Sequence, residues 1–254
     1  MGSGGGSAGP IRAVALDLDG TLLDTVGEIA QAFNELLGRL AAAPAATTPA
    51  PLRVTLRTTH LPLADLRNMV GKGMGNLVQR GLTAATGSVP SAETVEHALT
   101  LYMDCYYALL GSAARPFPGV IEGLDQLHAM GLPLAVVTNK AARFSNTLLE
   151  RTGLAPRFAH VVGGDTYERR KPDALPLVRT AERFGCLPSE LLMIGDSLND
   201  VAAARAAGCP VLCVPYGYNE GHPVDDLDFD GMIADLTEAP AWIRSRSGAT
   251  AAST

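Results

Sequence analysis

Two aspartates that lie two residues apart, Asp17 and Asp19, are the residues of this chain best suited to do chemistry. They come at the end of the apolar run 11–17, which is typical of a short buried strand. One carboxylate can attack phosphorus as a nucleophile, and the other can protonate the leaving oxygen and then activate water. Gly20 follows them and permits a tight turn. We therefore predict Asp17 as the nucleophile of a phosphoryl transfer and Asp19 as its general acid and base.

Further polar residues come after apolar runs later in the chain. Thr138 and Asn139 end one run, Asp196 and Asp200 follow another, and Lys171 lies between the two. Ligands of an open parallel sheet bind beyond the carboxyl ends of its strands, so we expect these side chains to gather near the first two aspartates. Thr138 and Asn139 can then hydrogen-bond a phosphoryl group, and Lys171 can balance its charge.

The same residues predict a metal ion. Carboxylates that lie close together repel one another unless a cation neutralises them, and ligand sets made only of oxygen suit Mg²⁺. We predict Asp17, Asp196 and the backbone carbonyl of Asp19 as its ligands, with Asp200 and Gly20 in supporting positions. The histidines form no His-Glu-x-x-His pattern, so a zinc site is not expected.

Each piece alone also has an ordinary structural explanation. An Asp-x-Asp-Gly stretch occurs in turns and calcium loops, and Thr138 with Asn139 is a common helix N-cap. Asp196 and Asp200 also suit a helix N-terminus. Catalysis is favoured by the joint occurrence of these residues, in this order and largely at predicted strand ends.

The elements that must position these residues alternate between strand and helix. Apolar runs typical of buried strands are 11–17, 133–138, 191–195 and 210–214, with a weaker one at 160–163. Helical patterns lie between them at 119–130, 141–152, 173–185 and 198–207. This alternation predicts an α/β fold in which helices cover both faces of a parallel sheet.

A long stretch between the first two strands breaks the alternation and is mostly helical, so it is predicted to be an inserted cap. Helical spacing recurs there over three ranges: 28–40, 64–86 and 92–110. The predicted organisation is a flexible tail at 1–10, an α/β core formed by 11–23 and 114–245, a helical cap at 24–113 with an Ala/Pro/Thr-rich loop insertion at 41–58, and a flexible tail at 246–254.

Composition and charge argue against several classes of partner. The formal net charge of −6 disfavours a nucleic-acid surface, which needs clustered Lys and Arg. No apolar run approaches the roughly 20 residues of a membrane helix, and the start does not resemble a secretory signal. The cysteines form no Cys-x-x-Cys pair and suit reduced thiols in a cytoplasmic protein. We expect a small phosphorylated metabolite as the ligand, and the sequence leaves the oligomeric state open.

Four segments resemble the four motifs of the haloacid dehalogenase superfamily: 14–24 (VALDLDGTLLD), 137–140 (VTNK), 170–172 (RKP) and 194–200 (IGDSLND). The resemblance implies a Rossmann-like core with a helical cap and a dependence on Mg²⁺. Four further segments resemble the bacterial phosphoglycolate phosphatases of that superfamily: 70–78 (VGKGMGNLV), 115–119 (RPFPG), 162–166 (VGGDT) and 215–219 (PYGYN). This second resemblance implies hydrolysis of 2-phosphoglycolate to glycolate and phosphate.

A glycine-rich loop at 71–76 is the clearest loop pattern of the predicted cap. It matches neither the Walker A motif nor the Rossmann fingerprint, so we interpret it as a flexible substrate loop. Lys72 is the candidate within it for binding a substrate carboxylate, and a solvated surface charge explains this lysine equally well.

Two alternatives to this function stay open. The first is another sugar-phosphate phosphatase or a phosphomutase of the same superfamily, because the sequence discriminates weakly among substrates. The second is a non-catalytic binding protein on the same fold, against which the intact catalytic positions argue.

Overall fold

A computed structural model describes residues 9–44 and 49–251 of the chain. Its strands, in chain order, are β1 (Ala13–Leu16), β2 (Leu23–Asp24), β3 (Arg115–Pro116), β4 (Leu134–Val137), β5 (His160–Val162), β6 (Leu191–Gly195), β7 (Val211–Cys213) and β8 (Gly231–Met232). The main sheet of the described residues has the spatial order β5-β4-β1-β6-β7-β8, and its neighbouring strands are all parallel.

The α-helices are α1 (Val26–Ala42), α2 (Leu63–Arg67), α3 (Met74–Thr86), α4 (Ala92–Leu109), α5 (Val120–Ala129), α6 (Ala142–Arg151), α7 (Leu175–Phe184), α8 (Leu198–Ala207) and α9 (Ala239–Ala251). Helices follow the strands of the sheet and cover its two faces, as the alternation of patterns predicts. The fold is the α/β, Rossmann-like class with an inserted helical cap.

The first strand of the sheet lies in the middle of it. β1 pairs with β4 on one side and with β6 on the other, so Leu16 is aligned with Val136 and with Ile194. Every residue of β1 is buried. Its side chains alternate between the two apolar clusters on opposite faces of the sheet, Val14 in one and Ala15 in the other. The residue after Leu16 therefore leaves the sheet at its centre, beside the ends of β4 and β6.

The helical segment α1–α4 begins and ends at one place. β2 and β3 pair antiparallel, with Leu23 opposite Pro116 and Asp24 opposite Arg115, so the chain leaves the core and returns to it side by side. Within the segment, α4 packs against α1 and α3, and the rings of Phe33 and Tyr102 lie 6.2 Å apart. The apolar faces of these helices are therefore buried largely against one another.

The helix predicted over 64–86 is wrong in its middle. The structure has two helices there, α2 and α3, separated by the glycine-rich loop. Gly71 and Gly73 adopt φ angles of 123° and 83°, which other residues rarely adopt and which a helix does not contain. Apolar spacing continues across this loop, which is why periodicity alone did not reveal the break.

Other boundaries also differ from the predicted ones. α7 begins at Leu175, two residues after the start of the helix predicted over 173–185. α9 extends to Ala251, so a helix forms 246–251 where a flexible tail was predicted. The rest of that predicted tail, most of the one at the start, and 45–48 of the loop insertion lie outside the described residues.

None of the helices in the described part of the chain combines the length and the apolar character needed to cross a membrane.

We predict that replacing Gly123 with alanine destabilises the protein. Gly123 lies on α5, and an added Cβ would stand 2.6 Å from the backbone carbon of Leu236. Relieving such a clash requires the backbone to shift, which costs about 1–3 kcal/mol in the free energy of unfolding. Urea denaturation followed by circular dichroism measures the change.

The matched control is Gly38→Ala in α1, where an added Cβ meets nothing within 4 Å. Because alanine is the better helix former, this variant should be more stable by about 0.5–1 kcal/mol. Equal effects of the two substitutions would contradict the close packing of α5 described here.

Candidate active site

The carboxylates predicted from separate segments meet at the carboxyl edge of the sheet. Asp17 follows β1, Asp196 follows β6, and Asp200 lies in the first turn of α8. One carboxylate oxygen from each of the three lies within 4.8 Å of the others. Asp17 and Asp200 also line a pocket between the sheet and the helical segment, together with Asp19, Thr138, Asn139 and Lys171. The structure thus brings the predicted core residues together.

Lys171 is buried among these carboxylates. Its ammonium lies 2.5 Å from Asp200 Oδ1 and 3.0 Å from Asp17 Oδ1, and it donates to the carbonyl of Val137 at 2.7 Å. Burial by itself lowers the pKa of Lys171, but the carboxylates of Asp17 and Asp200 outweigh it and leave the pKa above its ordinary value. This lysine therefore stays charged at neutral pH.

The carboxyl groups carry more negative charge than this lysine can balance. Burial raises the pKa of Asp17 to about 6, even though the Lys171 ammonium acts in the opposite direction. Burial likewise raises the pKa of Asp196, and the carboxylates of Asp200 and Asp17 add to the shift. A cluster of oxygen ligands whose ionisation is opposed by burial and mutual repulsion fits a hard divalent cation, which would stabilise the charged forms.

Asp196 is held in place from two sides. The hydroxyl of Thr21 donates to its Oδ1 at 2.8 Å, and the backbone N–H of Tyr218 donates to its Oδ2 at 2.7 Å. Gly20 adopts a φ of 90°, and a Cβ on it would lie 2.4 Å from Asp196 Oδ2. Glycine is thus required after the two aspartates both for the turn and for the approach of this carboxylate.

Asp200 has a structural task as well as an electrostatic one. Its Oδ2 accepts hydrogen bonds from the backbone N–H groups of Asp196 and Ser197 and from the Ser197 hydroxyl, while its Oδ1 accepts from Lys171. Asp200 is fully buried. The residue therefore caps the start of α8 and also positions the buried ammonium.

Thr138 and Asn139 both reach the pocket but differ in their bonding. The Thr138 hydroxyl accepts from the backbone N–H of Lys140 at 3.3 Å, which leaves its own proton for donation. The Asn139 amide nitrogen instead donates to the carbonyls of Gly71 and Lys171, at 3.0 and 2.9 Å. Asn139 thus joins the glycine-rich loop to the core, and its hydrogen bond to a phosphoryl group stays a prediction.

Sequence reasoning missed two residues that hold Asp19. Lys140 Nζ lies 2.8 Å from both carboxylate oxygens of Asp19, and the Thr25 hydroxyl donates to Asp19 Oδ1 at 2.6 Å. The side chain of Lys140 is 5% exposed. Lys140 lies two residues after Thr138, just beyond the end of a predicted strand. This position could have indicated the contact, because the carboxyl ends of parallel strands lie at the same edge of the sheet as the two aspartates.

Lys72 lies away from the carboxylates. Its ammonium is 2.9 Å from a carboxylate oxygen of Glu220, and its side chain is 51% exposed. Its neighbours Gly71 and Gly73 line the pocket, whereas Lys72 is not among the lining residues. In this structure the ammonium of Lys72 forms an ion pair with Glu220. Its contact with a substrate carboxylate stays a prediction.

Comparison with known proteins agrees with this geometry. The family model of the haloacid dehalogenase-like hydrolases matches residues 11–208. The chain is 45% identical to a phosphoglycolate phosphatase of Thiobacillus denitrificans, over 92% of this chain and 96% of that protein. It is 43% identical to one of Nitrosospira multiformis, over 94% and 98%. A crystal structure of a predicted phosphoglycolate phosphatase from Haemophilus somnus superposes with a TM-score of 0.80 at 27% identity, covering 91% of this chain and 97% of that one.

We predict that Asp200→Asn destabilises the protein by about 3–5 kcal/mol, the usual effect of breaking a buried ion pair. Both oxygens of Asp200 act as acceptors, toward Lys171 on one side and toward N–H and O–H donors on the other. An asparagine must turn its NH₂ group toward one of these sets of donors. Urea denaturation of the metal-free protein measures the loss.

Glu182→Gln is the matched control, because Glu182 pairs with Arg179 on the surface, where both side chains are about half exposed. It should change the stability by less than about 1 kcal/mol. A loss at Asp200 as small as this would show that the buried pair contributes little.

Proposed function

Because this chain belongs to the haloacid dehalogenase-like hydrolases, we propose that it hydrolyses a small phosphate monoester, 2-phosphoglycolate, to glycolate and phosphate. The observation that carries the proposal is the cluster of Asp17, Asp19 and Lys171 at the centre of the sheet edge. The substrate is suggested by relatives that match nearly the whole chain and are named phosphoglycolate phosphatases.

The reaction has two steps in this scheme. A carboxylate oxygen of Asp17 forms a bond to phosphorus while the bond from phosphorus to the ester oxygen breaks, and Asp19 gives its proton to that oxygen as glycolate leaves. Asp19 then takes a proton from water, whose oxygen attacks the phosphorus of the aspartyl phosphate. Phosphate departs and the Asp17 carboxylate is restored.

The remaining residues stabilise charge and position. Lys171 balances the charge of the phosphoryl group, and the Thr138 hydroxyl is available to donate to one of its oxygens. Asp17, Asp196 and the backbone carbonyl of Asp19 would hold Mg²⁺, which supplies positive charge beside the phosphoryl oxygens when bound. Asp200 accepts a hydrogen bond from the Lys171 ammonium and so holds this lysine in position beside Asp17.

The orientation of Asp19 is set by its two partners. Lys140 and Thr25 hold its carboxylate on the pocket side of the sheet edge. Thr25 lies directly after β2, at the entry to the helical segment. The general acid is therefore bound to both the core and the start of the cap, and a movement of the cap would act on it.

We predict that Asp17→Asn lowers kcat for 2-phosphoglycolate by about 10³-fold or more, because the nucleophile is lost. Phosphate release is measured for the wild type and the variant across a panel of 2-phosphoglycolate, 3-phosphoglycerate, hexose phosphates and ethyl phosphate, with Mg²⁺. The wild type should prefer 2-phosphoglycolate.

Asp125→Asn serves as the control, since Asp125 pairs with Arg157 on the surface and is 60% exposed. It should retain the wild-type rate. Full activity of Asp17→Asn would refute the covalent scheme. A preference of the wild type for a hexose phosphate would contradict 2-phosphoglycolate as the substrate but would leave the covalent scheme unchanged. An inactive wild type across the whole panel would favour a binding protein on this fold.

We predict that Mg²⁺ raises the melting temperature of the metal-free protein more at pH 7.5 than at pH 5. The pKa of Asp17 is raised to about 6 from 3.8, so its contribution to stability is present below about pH 4 and is lost as the pH rises through 6. Mg²⁺ binds the ionised carboxylates and restores that stability above pH 6. At about 100 times the dissociation constant, the shift should be about 5–10 °C.

The measurement is thermal unfolding in EDTA and in MgCl₂ at matched ionic strength. Asp196→Asn should lose the magnesium-dependent shift, because it removes a ligand. An equal shift at both pH values, or a shift that survives in this variant, would place the ion elsewhere.

A further inference from the structure

Two buried tyrosines of α4 carry hydroxyl groups that the hydrolytic scheme does not use. Tyr102 and Tyr106 are 0% and 1% exposed, and their rings stack with centroids 5.8 Å apart. Both line the pocket that contains Asp17 and Asp19. Neither hydroxyl has a hydrogen-bond partner within 9–44 and 49–251. A buried hydroxyl without a partner costs free energy, so two together in one pocket point to a polar ligand that binds there.

A buried cation lies beside these tyrosines. Lys140 Nζ is 5.0 Å from the centroid of the Tyr106 ring and 2.8 Å from both oxygens of Asp19. A lysine ammonium has three protons, so the two contacts with Asp19 leave one for another acceptor. One side of the pocket thus combines a positive charge with two hydroxyl donors, next to the group that we assign as the general acid.

The position of these donors relative to Asp19 suggests what they bind, given the proposed function, on which this inference rests. Asp19 must reach the ester oxygen of the substrate in order to protonate it. In 2-phosphoglycolate a single CH₂ group separates that oxygen from the carboxylate. The carboxylate must therefore lie close to Asp19 as well, and it needs donors there because its burial is otherwise costly.

We propose that Tyr102, Tyr106 and Lys140 form the subsite that binds the carboxylate of the leaving group. Hydrogen bonds from the two phenols and the ammonium to a carboxylate are charge-assisted, which makes them stronger than bonds to a neutral hydroxyl. The subsite selects phosphate esters whose ester carbon bears a carboxylate over esters of neutral alcohols.

Two properties of the tyrosines suit them to this task. Burial raises the pKa of both phenols well above the ordinary value, so each keeps its proton and acts as a donor. The helical segment also contributes the apolar side chains of Ile29, Met74 and Leu77 to the wall of the same pocket. Such a wall offers no partner to the several hydroxyl groups of a hexose, whereas it tolerates a two-carbon acid.

Lys72 is the competing candidate for this carboxylate. It is half exposed and already paired with Glu220, while Lys140 is buried and lies beside the general acid. Binding by Lys72 would require the substrate to displace Glu220. The structure therefore favours the donors on α4 and after β4, and the two possibilities give different kinetic results.

The test compares kcat/KM for 2-phosphoglycolate with kcat/KM for ethyl phosphate, which has a methyl group in place of the carboxylate. Tyr102→Phe and Tyr106→Phe should each lower this ratio about 10–100-fold, the usual effect of losing a hydrogen bond to a charged group. Lys140→Met should lower it too. Any effect of these changes on Asp19 itself is common to both esters and cancels in the ratio.

Tyr107→Phe is the matched control, because Tyr107 is the next residue on α4, is 50% exposed and does not line the pocket. It should leave the ratio within about twofold, as expected of a surface substitution. Lys72→Met tests the competing candidate, and the proposal expects it to leave the ratio unchanged. A ratio that falls in Lys72→Met but not in the two pocket tyrosine variants would overturn the proposal in favour of Lys72.

The outcomes separate this proposal from the proposed function. If the wild type prefers 2-phosphoglycolate and both pocket tyrosine variants keep the ratio, the subsite is refuted while the function stands. If the wild type prefers a different ester whose ester carbon bears a carboxylate, such as 2-phospholactate, and the tyrosine variants abolish that preference, the substrate changes and the subsite stands. If no carboxylate ester is preferred over its neutral counterpart, the subsite is refuted.

Discussion

The burial of one lysine among aspartates is the interaction on which the rest of this structure depends. Lys171 cannot lie in the interior without anionic partners, and Asp17 after β1 and Asp200 in the first turn of α8 supply them. The same burial opposes the ionisation of the carboxyl groups. It raises the pKa of Asp17 and of Asp196, and the charge of Asp200 adds to both shifts. Each buried charge of the site therefore needs a partner of opposite sign. The carboxylates outnumber the one lysine, and a divalent cation would neutralise the remaining negative charge.

The sheet makes this arrangement possible because its first strand is its middle strand. β1 pairs with β4 and with β6, so three strand ends that are far apart in sequence lie side by side at one edge of the sheet. The helical segment is tied to this edge at several points. Asn139 donates to Gly71, Arg67 donates to the carbonyls of Tyr216 and Gly217, and the Tyr218 hydroxyl accepts from Thr25. Polar contacts thus join the helical segment to the sheet edge, in addition to apolar contacts such as that of Tyr106 with Phe144, whose ring centroids lie 5.6 Å apart.

The polar groups on the sheet side of the pocket differ from those on its helical side in their hydrogen-bond partners. On the sheet side, the Lys171 ammonium is paired with Asp17 and Asp200 and donates to the carbonyl of Val137. On the helical side, the hydroxyls of Tyr102 and Tyr106 have no partner among the described residues. This asymmetry agrees with a site whose phosphoryl end is preorganised by the protein, and whose leaving-group end is completed by the ligand itself. Specificity would then come from the inserted helices, while the chemistry would come from the residues at the sheet edge.

The sequence by itself determined the α/β fold, most strand and helix positions and the gathering of the predicted carboxylates at one sheet edge. Apolar periodicity is a local pattern, and the carboxyl ends of parallel strands meet at the same edge of a sheet. It did not locate the break in 64–86, since apolar spacing continues across glycines whose positive φ only the folded loop reveals. Nor did it pair Lys140 with Asp19 or Lys72 with Glu220. Each pair joins residues more than a hundred positions apart. Lys140 meets Asp19 because β4 lies beside β1, and Lys72 meets Glu220 because the helical segment packs against the loop after β7, so both contacts depend on the tertiary structure rather than on a local pattern.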